Sequence, residues 1–381
     1  MDHARLANWT EHVDADGTII GADYTGEEIL LDSHEQHNHV KGWIDPLAGY
    51  AGPRLRVYDS ADVEQYAKSI DASCNRDDEK RTISVLKTLA ELGDVRRLKK
   101  IRVNWRIELN AIEAAFPNFA SVIDYLRETC ALSEVAYVKN VLDIDNILLE
   151  SAPGTGKSYF CEVLANFLDS GRVCHRMENS QSNSSLCGSD TFWSNSKNGS
   201  VFSAIALSQI FGSSGFAYSN PTFILDEIDK IDTGGRYSPE SALLSLFEKS
   251  TAEKYTDLCY PWLTIDASKI TWIATCNRSD GYISAPLLSR MRKFKIEQPT
   301  RSQAMQIVEN IVKTILQDYE ETGIEFSEPA IAELCKLSPR RMKSEVKSAI
   351  GRVLYRQRGL IVSECDISGA EEARLRMGFL P

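Results

Sequence analysis

Short apolar runs alternate with helix-period stretches through the middle of this chain. The runs at 147–149, 173–175, 222–225, 270–275 and 294–296 are too short for helices and are bounded by turn residues, which predicts strands. The stretches between them read as crossover helices, so residues 141–298 predict an α/β unit with a parallel sheet and flanking helices. Residues 178–199 are rich in Ser, Asn and Gly and predict loop. Upstream, Leu98, Ile101, Trp105, Leu109 and Ile112 recur at three- and four-residue spacing, predicting one helical face in a stretch from 79 to 115. Phe116-Pro117-Asn118-Phe119 breaks that stretch, and 120–137 predicts a second amphipathic helix. Beyond Gln298-Pro299 the period is helical at 303–319, 329–336 and 341–355, with no strong strand pattern. Residues 1 to about 78 are polar and interrupted by Gly and Pro, and predict a partly irregular segment. Three parts are expected: an N-terminal region over 1–115, irregular then helical; an α/β core over 116–298; and a small all-helical domain over 299–381.

Composition narrows the class. A chain of 381 residues, 43% hydrophobic and 25% charged, has ample length for a core in two or three domains. A net charge of −11 argues against a broad nucleic-acid footprint. Nine cysteines without a Cys-x-x-Cys pair indicate neither a zinc ribbon nor a disulfide framework, so reduced thiols in the cytoplasm are expected. No apolar run is long enough to span a bilayer, and residues 1–18 are polar rather than signal-like, so no membrane partner is expected.

Two polar clusters each admit two readings. His34, His37 and His39 lie near Asp32 and Glu35, but their spacing matches no known metal site and favours a solvated turn. Arg96, Arg97, Lys99, Lys100, Arg102 and Arg106 would form a basic stripe on the helix expected at 79–115. A solvated face is the commoner meaning of such a stripe; contact with nucleic acid or an acidic partner is the other.

The most chemically specific stretch is Ser151-Ala-Pro-Gly-Thr-Gly-Lys-Ser158, which directly follows an expected strand. Gly154 and Gly156 lack Cβ atoms, so successive backbone N–H groups can turn inward around phosphate oxygens. Lys157 adds a point charge for the outer phosphates, Ser158 a hydroxyl for magnesium, and the helix that follows aims its positive end at the same place. Pro153, Thr155 and Tyr159 complete the expected nucleotide-binding set. Ser151 stands where the usual pattern has glycine.

A second element supports the first. The run Thr222-Phe-Ile-Leu225 ends in Asp226-Glu227, which puts two carboxylates at the C-terminal end of a central strand, where doubly wound sheets bind ligands. Asp226 would hold magnesium, and Glu227 would act as general base on the attacking water. A third apolar strand ends at Asn277, whose amide would hold that water or the terminal phosphate. Arg290, after Ala285-Pro-Leu-Leu-Ser, has no obvious partner in its own segment and suits a neighbouring subunit's phosphate. Arg340, in Ser338-Pro-Arg-Arg341, could fold over the nucleotide.

The order "SAPGTGKS", "FILDEIDK", "WIATCN", "PLLSR" and "SPRR" resembles an AAA+ ATPase, a P-loop NTPase fold, and in particular the ATPase module of the Lon family. The blocks "SPESALLSLFEKSTAEKYTD", "ITWIATCN" and "SAPLLSRMRKFKI" carry that resemblance over about residues 116–360. It implies ATP and Mg2+ as cofactors. It assigns phosphate binding to Lys157 and Ser158, and magnesium and water activation to Asp226 and Glu227. Asn277 becomes the first sensor, Arg290 a finger acting across a subunit interface, and Arg340 a second sensor in a helical lid. It further implies a homo-oligomeric ring, most simply a hexamer, acting on a protein substrate gripped by a pore loop. Phe192 and Trp193 fall where the gripping residues would sit, although Ser194 replaces the family's aliphatic neighbour. A full Lon protease continues into a peptidase domain with a Ser/Lys pair, for which no counterpart is read here. The expectation is a Lon-like remodelling ATPase without its own peptidase, with the N-terminal region recognising substrate or partner. The alternative is a nucleic-acid-associated switch or loader, including a defence-system ATPase.

Overall fold

Apolar residues on both faces of the central strands are what a parallel sheet between two helical layers requires, and the runs at 147–149, 222–225 and 271–276 are buried that way. The computed structural model describes residues 9–13, 19–24, 47, 50–70, 77–138, 140–179, 183–190, 196–231, 238–317, 319, 323–356 and 359–367. The three histidines at 34, 37 and 39 lie outside the described residues.

The chain opens with an antiparallel pair, β1 (Trp9–Val13) and β2 (Ile19–Tyr24). Strand β3 (Arg54–Arg56) leads into helices α1 (Ser60–Ser69) and α2 (Asp77–Leu92), then β4 (Val95–Arg97), antiparallel to β3. Helix α3 (Trp105–Ala115), a 3-10 turn at Pro117–Phe119 and α4 (Ala120–Val135) follow. Next come β5 (Ile147–Glu150), α5 (Lys157–Leu168), β6 (Arg172–Arg176), α6 (Ser184–Cys187), α7 (Ser200–Ile205) and β7 (Thr222–Asp226). Helices α8 (Pro239–Leu246) and α9 (Lys249–Ala252) precede the short pair β8 (Tyr255–Thr256) and β9 (Thr264–Ile265). Strand β10 (Thr271–Cys276), α10 (Ala285–Leu288) and β11 (Arg292–Lys295) complete the sheet.

All neighbours in the five-stranded sheet are parallel, in the order β11-β5-β10-β7-β6. Side-chain alternation feeds two cores. Leu148, Phe223, Leu225 and Trp272 face α6–α8, while Ile147, Leu149, Ile224 and Ile273 face α3–α5. Each fully buried side chain of this size contributes roughly 1.5–3 kcal/mol over leaving it in water. The N-terminal elements join these cores: Val57, Leu86 and Leu89 pack with the first, Trp105, Leu109 and Ile112 with the second.

The C-terminal part consists of α11 (Arg301–Gln317), β12 (Glu325–Phe326), α12 (Glu328–Leu334), α13 (Pro339–Arg356) and β13 (Ile361–Val362). It has its own core, with Ile307, Val308, Leu334, Met342, Val346 and Ile350 at its centre. The helical pattern there was legible; the two-residue parallel pair β12–β13 adds to it. No helix among the described residues is long and apolar enough to cross a membrane.

The stretch 79–115 differs from its reading as one helix. Gly93 stops α2 with φ +66, β4 intervenes, and α3 starts only at Trp105. Arg96 and Arg97 therefore do not lie on a solvated stripe: they are 2% and 5% exposed. Arg96 donates to the carbonyls of Gly93 and Ala206, and Arg97 stacks on Tyr50 and Phe216. Lys99 pairs with Asp169 at 2.5 Å, Arg102 with Glu108 at 2.8 Å and Arg106 with Glu134 at 2.8 Å. Lys100 is exposed. Helical periodicity at 98–112 arose because a loop and a helix happen to present one apolar side in succession.

Candidate functional site

The C-terminal ends of β5, β7 and β10 lie side by side, because β10 pairs with both of the others. Each delivers one part of a polar cluster. After Glu150 the backbone leaves β5 and turns through residues 151–156 into α5. Gly154 and Gly156 take φ of +84 and +98, values that an L-residue with a Cβ reaches only under strain. Gly156 is the N-cap of the 12-residue α5, so the free N–H groups of the first turn face the mouth of the loop. Pro153 is exposed at the rim and Thr155 is buried beneath it.

Lys157 is 8% exposed and folds back over this loop. Its ammonium donates to Ser151 O at 2.7 Å, Ser151 Oγ at 2.9 Å and Ala152 O at 3.3 Å, and reaches Asn277 Oδ1 at 3.2 Å. Burial lowers its pKa, and the nearby acids pull the other way. The cation thus rests on neutral carbonyl and hydroxyl oxygens that an anionic ligand would outcompete. Ser151, at the position where glycine is usual, contributes its hydroxyl to holding Lys157 and also contacts Thr155 Oγ1.

Ser158 Oγ donates to the Asp226 carboxylate at 3.1 and 3.4 Å. A hydroxyl and a carboxylate oxygen at this separation are hard oxygen donors of the kind that magnesium takes. Thr275, one register step before the end of β10, donates to Asp226 Oδ1 at 2.5 Å and accepts the Glu227 N–H at 3.0 Å. Glu227 has φ 58 and ψ 50, an uncommon left-handed geometry for a non-glycine residue. Its carboxylate pairs with Lys230, which also lies 3.5 Å from Glu178. The Lys230 hydrogen bond is the main reason that Glu227 sits below its usual pKa. The Asn277 N–H donates to Asp229 Oδ2 at 3.2 Å, and Asp229 Oδ1 is buried without a hydrogen-bond partner.

Seven of the residues read from the sequence therefore come together: Gly154, Gly156, Lys157, Ser158, Asp226, Glu227 and Asn277. Tyr159 continues the cluster toward the C-terminal helices. Its ring packs on Phe116 at 5.5 Å between centroids, with the Lys343 ammonium 5.4 Å from its centre. Ser338 lies against Gly154, with its Cβ 3.5 Å from where a Cβ on that glycine would be; Arg340 follows Ser338 by two residues along the chain and is exposed.

Arg290 is elsewhere. It lines a cavity of about 430 Å3 at the opposite, N-terminal ends of β5, β10 and β11, with Asn146, Phe247, Trp272 and Arg292. Its guanidinium donates to Pro286 O at 2.8 Å and lies 3.9 Å from Glu248. Phe192 and Trp193 lie outside the described residues. The chain on either side of them is pinned by Asp257, whose carboxylate accepts the Gly199 N–H at 2.8 Å, and by a Ser189–Lys197 backbone bond.

Sequence reading missed Ser151, Thr275, Asp229 and Lys230. The signal for Thr275 was a hydroxyl inside an otherwise apolar strand, two residues before Asn277. Ser151 and Lys230 act on near neighbours in the chain, Lys157 and Glu227, while Asp229 reaches Asn277 only through the tertiary fold.

Comparison with known proteins gives a consistent result. Residues 147–299 match the ATPase family associated with various cellular activities (AAA). The chain is similar to a Lon protease of Mycoplasma genitalium, 27% identical over 195 residues, covering 50% of this chain and 23% of that protein. A Lon protease of Cytophaga hutchinsonii is 29% identical over 205 residues, covering 52% and 24%. One from Helicobacter pylori is 36% identical over 116 residues, covering 30% and 14%. The chain thus matches less than a quarter of these relatives' length. Among solved structures, a Thermotoga maritima RuvB Holliday junction branch migration motor overlaps 67% of this chain and 68% of its own, with TM-score 0.45 and 15% identity. Residues 147–299 are a nucleotide-binding domain of the AAA family, with Lon-like sequence similarity.

Proposed function

We propose that this chain is a Mg2+-dependent ATPase that assembles into a ring, most simply a hexamer, and remodels protein substrates in the cytoplasm. The observation that carries the reading is the meeting of Lys157, Ser158, Asp226 and Asn277 at the ends of three adjacent parallel strands. The residues fit the cofactor: two glycines at positive φ, a cation resting on neutral oxygens, and a hydroxyl–carboxylate pair of hard donors. When bound, magnesium ATP supplies the phosphoryl group and the charge that offsets the oxygens around it.

The chain's own residues do the rest. Backbone N–H groups of 154–158 and Lys157 hold the phosphates, while Ser158 and Asp226 are the metal donors. Glu227 takes the proton from the attacking water, and Asn277 orients that water. Arg290 would serve a neighbouring copy, a role supported by its distance from this chain's own phosphate loop. Arg340 and Tyr159 would close the C-terminal helices over the nucleotide, with 116–298 as core, 299–381 as lid and 1–115 as the recognition region. Phe192 and Trp193 would grip the substrate, with no peptidase in this segment. The nucleic-acid reading relied on the cations at 96–106, and burial and ion pairing of five of them favour the protein-remodelling alternative.

The test is a Glu227→Gln variant. It should bind ATP with magnesium as tightly as the parent and hydrolyse almost none. Near-normal turnover in it would refute the assignment of the base.

A further inference from the structure

Glu150 is the last residue of β5, immediately before the phosphate loop, and its half-buried carboxylate points along the sheet rather than to solvent: its side chain is 16% exposed. It accepts the Ser279 N–H at 3.0 Å and the Ser279 hydroxyl, and lies 3.4 Å from the Lys293 ammonium. Lys293 in turn donates to Ser279 Oγ at 2.9 Å and sits 3.7 Å from Asp280. The register explains the meeting. Lys293 pairs with Leu148 and Lys295 with Glu150, so Lys293 and Glu150 are diagonal neighbours on one face of the sheet, within reach of long side chains.

Ser279 is fully buried, and all of its polar groups are occupied, since its carbonyl accepts the N–H groups of Tyr282 and Ile283. It is the fixed point of the loop between β10 and α10. Asn277, whose amide oxygen receives Lys157, lies two residues before it. The segment that leads through α10 to Arg290 lies after it, and Lys293 follows Arg290 by three residues. Burial pushes the Glu150 carboxyl up, yet its bonds to Ser279 and Lys293 leave it below the usual carboxylate value. Burial likewise pulls Lys293 down, and the attraction of Glu150 and Asp280 leaves it above the usual lysine value. Both groups are therefore held charged.

We propose that Glu150 is a positioning residue that, through Ser279 and Lys293, locks the Asn277 loop and the strand following Arg290 to the start of the phosphate loop. This rests on the roles given above to Asn277 and Arg290. Glu150 touches neither Lys157 nor Ser158 among the hydrogen bonds of the site, so its effect falls on turnover rather than on nucleotide affinity.

The experiment compares the parent with Glu150→Ala, Lys293→Met and the double variant, measuring ATP turnover and the affinity and stoichiometry of magnesium-ATP binding. Lys293 is partly exposed, so its replacement keeps a folded protein for the comparison if Glu150→Ala is unstable. The expected result is a fall of about tenfold in kcat for each single variant. Affinity and stoichiometry stay unchanged, and the double variant falls no further than the worse single. Unchanged kcat in both single variants overturns the proposal, and so does a parallel loss of binding stoichiometry and kcat, the mark of a merely structural role. Glu227→Gln, run alongside, separates the two claims. If that variant keeps its turnover, the assigned base fails, while the Glu150 and Lys293 results still decide the positioning role.

Discussion

Thr275 donates its hydroxyl hydrogen to Asp226 Oδ1 at 2.5 Å. Thr275 Oγ1 also accepts the backbone N–H of Glu227 at 3.0 Å, so one hydroxyl on β10 fixes both acids at the end of β7. Replacing Thr275 by Val keeps the shape and removes both bonds, leaving the Asp226 carboxylate with Ser158 as its hydrogen-bond donor and the Glu227 N–H without its acceptor. A hydrogen bond to a charged group is worth roughly 1.5–3 kcal/mol. Turnover should therefore fall about tenfold or more in Thr275→Val, with a higher magnesium concentration needed for half-maximal rate. A magnesium titration of ATP hydrolysis measures both, and a variant indistinguishable from the parent would remove Thr275 from the site.

The Glu227–Lys230 pair has a consequence for pH. The Lys230 hydrogen bond comes first among the causes that hold Glu227 below its ordinary carboxylate value. A general base is active when deprotonated, so a depressed pKa keeps it competent further into acid. In Lys230→Met that support is gone, the Glu227 pKa rises, and the acid limb of the kcat–pH profile should move to higher pH. An unmoved limb would mean that another group governs it.

Asp257 behaves in the opposite sense. Burial raises its pKa to about 7, although the N–H groups of Gly199 and Cys259 pull it down. An acid raised on folding binds more protons in the native than in the unfolded chain between its two pKa values. Its contribution is thus greatest at low pH and is lost as pH rises toward 7. Asp257→Asn cannot accept both backbone donors through one oxygen, which costs about 1–3 kcal/mol. The variant should be less stable than the parent at pH 5, and the gap should narrow by pH 8. Denaturant midpoints at the two values measure it; a widening gap would contradict the raised pKa.

How much of this was legible from the chain depended on range. The glycine loop and the acidic strand were readable because each is a local pattern: Gly154 and Gly156 set backbone geometry, and 222–227 is an apolar run meeting two acids. The five strands followed from the same alternation of short apolar runs and helical stretches. Positions 96 and 97 were misread because an arginine buried against carbonyls and aromatic rings looks, in sequence, like any surface cation. Thr275 and Asp229 were missed because their roles exist only once β7 and β10 lie together, and Ser151 because it was read only as a replacement for glycine. The hydroxyl in an apolar strand marks Thr275 as unusual, but not which two residues, 49 and 48 positions away, it bridges.

The most direct measurement is equilibrium binding of magnesium ATP to the parent and to Lys157→Ala, by calorimetry or a fluorescent analogue. If the glycine loop and the acidic strand hold one triphosphate, the parent binds it and the variant loses roughly tenfold or more in affinity. Equal affinity in the two proteins would contradict the account.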